Sequence, residues 1–405
     1  MSSSVAGSAP ASPAEVRVVA RRKSPFIQAS IPVLRWAADR ARLDEMSLAR
    51  RFRKWPLWLS GRAQPTLRQL ETFARLSHTP FGFFFLPEPP RVELPVPDFR
   101  TLRDAPVREP SADLLETLYL CQQRQDWFHE YAQIHGLPRV TLVGQADLAD
   151  ALESVATTLR QTLGLTDAHR QQLSSWSEGL RQLKAAAEDA GVLVMTSSIV
   201  GTNSHRKLDV GEFRGFVLAD DLAPLVFLNA ADSKAAQMFT LAHELAHLAL
   251  GQSGVSNVEA GRMPERSNER WCNRMAAELL MPLAEVRRVA LPDAPVPDEI
   301  QRLARVFKVS TLVALRRLFD AQFIDEAALW QHYRAEVERL RALDRSGGGG
   351  DFYRTLAART GKRFARALIG STLEGQTLFQ DAFRLLGVRK TETFYHAARE
   401  LGVMV

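Results

Sequence analysis

The chain has 405 residues, 46% of them hydrophobic and 24% charged. That composition belongs to globular protein of two or three domains and excludes a predominantly disordered chain. A formal net charge of +6 permits an acidic partner such as DNA without requiring one.

Residues 1–25 are rich in Ser, Ala and Pro, lack the apolar run of a secretion signal, and are predicted to be a disordered tail. Residues 26–105 follow as short helices, "PVLRWAADRARL", "MSLARRFRKW" and "PTLRQLETFARLS", each apolar at three- and four-residue spacing, with Pro65 and Thr66 opening the third. Arg50, Arg51, Arg53 and Lys54 are candidate phosphate contacts. The stretch "TPFGFFFLPEPPRVELPVPDFR" is too proline-rich for long regular structure and reads as an aromatic strap.

Within 106–285 the pattern is helical to about Ala190 and then turns β-prone in "GVLVMTSS", "FRGFVLAD" and "APLVFLNA", which predict a small, mainly antiparallel sheet. Asp232 or Ser233 can cap a helix that stops at Gly251, and a second helix is expected from about Glu265 to Leu280, before Pro282. The strand "LVFLN" could offer a free edge to a substrate peptide. Residues 286–345 read as a small helical unit, and 346–405 as a helical appendage behind the glycine-rich "RSGGGGD". No run is long and apolar enough to span a membrane, and two distant cysteines, Cys121 and Cys272, fit a reducing, cytoplasmic setting. The fold class is therefore α+β within a mostly helical chain, and no feature sets an oligomeric state.

The chemistry concentrates in "FTLAHELAHLALG". Residues four apart share a helix face, so His243 and His247 can aim at one point, as zinc requires at roughly 2.0–2.1 Å. Glu244 projects about 100° further round, beside the ion, where it can take a proton from an attacking water. Chance alone would give H-E-x-x-H in roughly one such chain in a hundred, so context matters. A catalytic site needs a third protein ligand. Glu269, in "NERWCNRMAAELLMP", is favoured, with Asn273 one turn on to hydrogen-bond behind it. Its rivals are Glu265, in the exposed first turn, and Glu278, on the opposite face; Cys272 is a soft ligand or a small core residue. His205, in the loop "GTNSHRKLD", is the candidate for a second oxyanion donor.

With these residues in place, "GEFRGFVLADDLAPLVFLNAADSKAAQMFTLAHELAHLALG" followed by "ERWCNRMAAELLMP" resembles the ImmA/IrrE family of zinc metallopeptidases, strongly over about 191–285. More weakly, "GRAQPTLRQLETFARLSHTPFGFFFLPEPP" is similar to the Xre-type helix-turn-helix fused to many members. The resemblance implies a zincin-like fold, one Zn2+ or an alternative divalent ion such as Mn2+ on His243, His247 and Glu269, and Glu244 as general base. It also implies a protein substrate, a helix-turn-helix repressor whose cleavage releases stress-response, defence or mobile-element genes. The competing class is a DNA-binding regulator or antitoxin-like protein with a structural or vestigial zinc site, in which Glu244 would have no role.

Overall fold

The computed structural model describes residues 26–99, 109–165, 176–257, 266–344 and 352–403. The expected tail, the glycine-rich linker and Glu265 lie outside the described residues. The chain divides into two compact units, Met1–Arg91 and Val92–Val405.

In the first unit four short helices, α1 (Ile31–Arg40), α2 (Glu45–Arg51), α3 (Trp55–Leu59) and α4 (Leu67–Leu76), surround an aromatic core of Phe52, Trp55, Trp58, Phe73 and Phe84. Thr66 and Gln69 close a reciprocal capping box at the start of α4. The expected single helix over "MSLARRFRKW" breaks after Arg51. A proline ring clashes with the carbonyl four residues back, so Pro56 forbids helix through Phe52 and instead opens α3. Phe84 comes from a short 3-10 turn, Phe81–Phe85, and packs on Phe73 at 5.5 Å between centroids. Arg50, Arg51, Arg53 and Lys54 are exposed, whereas Trp55 and Trp58 turn inward.

The second unit opens with α5 (Ala112–Ile134), α6 (Leu152–Thr162) and α7 (Trp176–Asp189). A sheet follows, built from β1 (Leu193–Ser197), β4 (Gly215–Leu218), β5 (Leu225–Asn229) and β6 (Gly254–Ser256), in the order β1-β5-β4-β6. β1 and β5 run parallel, and the other two pairings are antiparallel. Two points correct the sequence reading. β5, the "LVFLN" strand expected to offer a free edge, lies between β1 and β4 and has none. The predicted loop around His205 is instead a separate hairpin of β2 (Ile199–Val200) and β3 (Asn203–Lys207).

Successive strand residues face opposite sides, and here both sides are buried. Val194, Val217, Val226 and Leu228 enter one core with α7, α8 (Lys234–Ala249), α9 (Ser267–Leu280), α10 (Leu283–Val289), α11 (Val296–Phe307), α12 (Thr311–Asp320) and α13 (Glu326–Asp344). Leu193, Met195, Phe216, Leu218, Leu225 and Phe227 enter a second core with α5, α14 (Phe352–Thr360), α15 (Lys362–Leu373), α16 (Phe379–Leu386) and α17 (Thr391–Glu400). Burial on both faces explains why the strands read as continuous apolar runs rather than alternating ones. The fold is α+β, with helices on both faces of a small mixed sheet.

Candidate metal centre

The helix α8 is enclosed almost all round, from Ala235 to Ala249, as its sequence of Ala, Leu, Met and Phe on every side demands. The Ser233 side chain accepts the N–H of Ala236 and starts it. Its end is a Schellman turn. Gly251, at φ +66°, donates to the Leu248 carbonyl at 2.8 Å, and Gln252 donates to that of His247 at 3.0 Å. The turn thereby fixes the backbone of His247 itself. Against α8 lies α9, where Cys272, Trp271 and Met275 pack on Ala246 and Ala249. Ala246 and Ala249 on α8 and Cys272 on α9 are small enough to let the two helices approach and side chains converge.

His243, His247 and Glu269 do converge, and all three are buried. The Nε2 atoms of the histidines are 3.0 Å apart. Glu269 places Oε1 2.9 Å from His247 Nε2 and Oε2 3.4 Å from His243 Nε2. Ligand atoms roughly 2.0–2.1 Å from a central ion in tetrahedral array stand about 3.3–3.4 Å from one another. The Glu269–His243 separation matches that edge, the other two fall about 0.3–0.5 Å short of it, and the donors are the nitrogen and oxygen types zinc accepts. The residues therefore fit a metal ion.

Glu244 sits beside the cluster with no exposure, and neither of its oxygens is satisfied by a hydrogen bond of good geometry. Burial, and secondarily the charge of Glu269, push its carboxyl well above the usual range; the Ser256 hydroxyl on β6 works against them. Its space comes from β4. A Cβ on Gly215 would lie 3.0 Å from Glu244 Oε1. Glu269 is affected in the opposite sense: burial raises it, but hydrogen bonds from His243 and His247 outweigh burial and hold it below the ordinary carboxylate range. Burial lowers His247, against the opposing influence of Glu269.

Asn273 is buried one turn beyond Glu269 on α9. Cys272 is fully buried, with its thiol pushed well above the usual value, and serves as a small core residue. Glu278 is committed elsewhere: it pairs with the buried Arg317 and accepts the N–H of Leu283 at 3.2 Å, capping α10. His205 is exposed on β3, outside the cluster. Sequence spacing missed Gly215, Ser256 and Phe99, whose ring stacks on His247 at 5.1 Å. A glycine inside a β-prone run marks close approach, and Gly215 alone carried a readable signal.

Residues 187–319 match the family model of peptidase M78, described as the IrrE N-terminal-like domain. The match spans the whole sheet and both helices that carry the cluster. Residues 360–400, across α15 to α17, match a domain family of unknown function. No curated protein matches the chain.

Proposed function

We propose, from the match of residues 187–319 to the IrrE N-terminal-like domain of the peptidase M78 family, that the protein is a zinc-dependent endopeptidase acting on an Xre-type helix-turn-helix repressor. The observation that carries the proposal is the fully buried carboxylate of Glu244, with only the Ser256 hydroxyl to offset its burial, beside a buried His-His-Glu cluster. A structural metal site has no use for such a group, because burying a carboxylate this poorly compensated is costly.

His243 Nε2, His247 Nε2 and the Glu269 carboxylate would hold one Zn2+, or Mn2+ as an alternative. When bound, the ion supplies a Lewis acid that lowers the pKa of water toward 7 and polarises a scissile carbonyl. Glu244 accepts the proton of the attacking water on a carboxylate oxygen and returns it to the leaving amide nitrogen. Its enclosure disfavours the charged form and makes it a stronger base than an exposed glutamate. Glu269, as an anion, serves as a ligand rather than as a second proton carrier. The repressor as substrate rests on the family resemblance; its cleavage would release stress-response, defence or mobile-element genes.

Metal analysis of the purified protein and incubation with the repressor encoded beside its gene test the proposal together. One zinc per chain and chelator-sensitive cleavage are expected, with Glu244→Gln keeping the metal and losing cleavage. A Glu244→Gln protein that cuts at the native rate would remove Glu244 from the mechanism. Salt-dependent DNA binding without cleavage would favour the regulator instead.

A further inference from the structure

The sheet ends on β6, and the outer edge of that strand is occupied by the chain itself. Val255 donates its N–H to the Pro97 carbonyl at 3.0 Å and accepts the N–H of Phe99 at 2.9 Å, a parallel bridge centred on Asp98. Phe99 then carries its ring to the cluster, lying flat on the His247 imidazole with 6° between the planes. The Arg266 guanidinium lies 5.8 Å from the same ring, and Arg266 Nη1 donates to the Asp98 carbonyl at 2.9 Å. The seat depends on Gly254. A Cβ there would fall 2.2 Å from Phe99 Cε2 and 2.4 Å from Cδ2, so any other residue would expel the ring. Two residues along the same strand, Ser256 faces Glu244.

A peptide that adds to a sheet edge makes main-chain hydrogen bonds with the strand and drops alternate side chains into pockets. Pro97–Phe99 make such main-chain bonds and seat one side chain, that of Phe99, beside the metal cluster, while Pro97 is exposed. Among the described strands of this sheet, β5 and β4 are interior, and β1, the strand at the far edge, packs against α14 and α15. We propose that the outer edge of β6 is where the substrate peptide adds, with an aromatic side chain in the seat formed by Gly254, His247 and Arg266. Pro97–Phe99 occupy that edge as the chain's own stand-in and leave it before a substrate is cut. This deepens the peptidase reading and rests on it.

The test uses the full chain carrying Glu244→Gln, and two fluorescein-labelled hexapeptides: one with the sequence of Leu94 to Phe99, the other with alanine in place of its phenylalanine. Adding Phe99→Ala vacates the seat, and the aromatic probe should then bind at least tenfold tighter than to the parent and at least tenfold tighter than the alanine probe. Equal binding of the two probes, or no gain on vacating the seat, overturns the proposal. Should Phe99→Ala fail to fold, hydrogen exchange on the parent decides: saturating aromatic probe should deprotect the Phe99 amide while Val255 stays protected, and an unchanged Phe99 amide sinks the idea. Cleavage is not read here. Probe exchange by a protein that cuts nothing would fail the peptidase reading alone, and cleavage without probe exchange would fail the docking edge alone.

Discussion

Substituting Gly215 by alanine adds one methyl group at the place where the sheet makes room for Glu244. Gly215 does not adopt left-handed backbone, so the effect is steric. The new Cβ would meet Thr240 Cγ2 at 2.7 Å, Glu244 Oε1 at 3.0 Å and the Phe227 carbonyl oxygen at 3.0 Å. The Phe227 oxygen belongs to the neighbouring strand β5 and cannot retreat without opening the β4–β5 ladder, so the two side chains must give by several tenths of an ångström. Overpacking of this kind costs about 1–3 kcal/mol. A catalytic group displaced by about 1 Å can lose about 100-fold in rate, and a smaller shift of Glu244 should cost about 10- to 100-fold in kcat. Metal content should be unchanged, because the three atoms nearest the added methyl belong to none of His243, His247 and Glu269. Urea unfolding, metal analysis and repressor cleavage read the three quantities separately. Adding Thr240→Ser removes the worst contact and should restore most of the stability while leaving kcat low. Native kcat in Gly215→Ala would refute the idea that this glycine positions Glu244.

Arg317→Met leaves Glu278 buried without its cation and should destabilise the protein by about 3–5 kcal/mol in denaturant unfolding; a loss below about 1 kcal/mol would show the pair to be dispensable. Burial depresses Lys184 from 10.5 to about 8. Between those values the unfolded chain binds the extra proton, so this residue makes stability rise with pH across that window, by at most about 1.4 kcal/mol per pH unit. Lys184→Met should remove that rise, and an unchanged pH profile would locate it elsewhere. Stripping the metal with a chelator should lower the melting temperature, since an ion present at about 100 times its Kd stabilises by about 2.7 kcal/mol. His247→Ala should show no chelator-dependent shift.

What could be read from the sequence was what local periodicity encodes. The i, i+4 spacing put His243 and His247 on one face, Ser233 and Gly251 marked the ends of their helix, and Glu269 lay on the next helix within one turn of its start. What could not be read depends on pairing across the chain. β6 is only Gly254, Val255 and Ser256, too short to alternate, and it became a strand because β4 lies beside it. Phe99 is remote in sequence from the histidine it covers, and its proline-rich context resembles a linker. The interior position of β5 was hidden for the same reason, since strand order is set by neighbours and not by the strand's own residues.

The C-terminal helices illustrate that limit most sharply and permit the strongest test of the fold. Set apart by a glycine-rich stretch, residues 346–405 read as an appendage, yet Phe364, Leu368, Ile369, Leu385, Leu386 and Phe394 are buried in the core that backs Phe216, Phe227 and Val255. Arg124 on α5 ties them further, donating Nε to the Leu385 carbonyl at 3.0 Å and Nη1 to that of Arg359 at 3.1 Å. Burying one large apolar side chain contributes about 1.5–3 kcal/mol, and a whole domain retains only about 5–15 kcal/mol of net stability. Losing six such side chains, and exposing the sheet residues they cover, removes as much as the domain possesses. A chain ending at Arg345 should therefore lack a cooperative unfolding transition and bind zinc weakly, although every residue of the metal cluster is still present. A truncated chain that melts cooperatively and holds one zinc would show that the helices cover an already stable sheet, and that the back-face core is not what sets Gly215 and Ser256 beside Glu244.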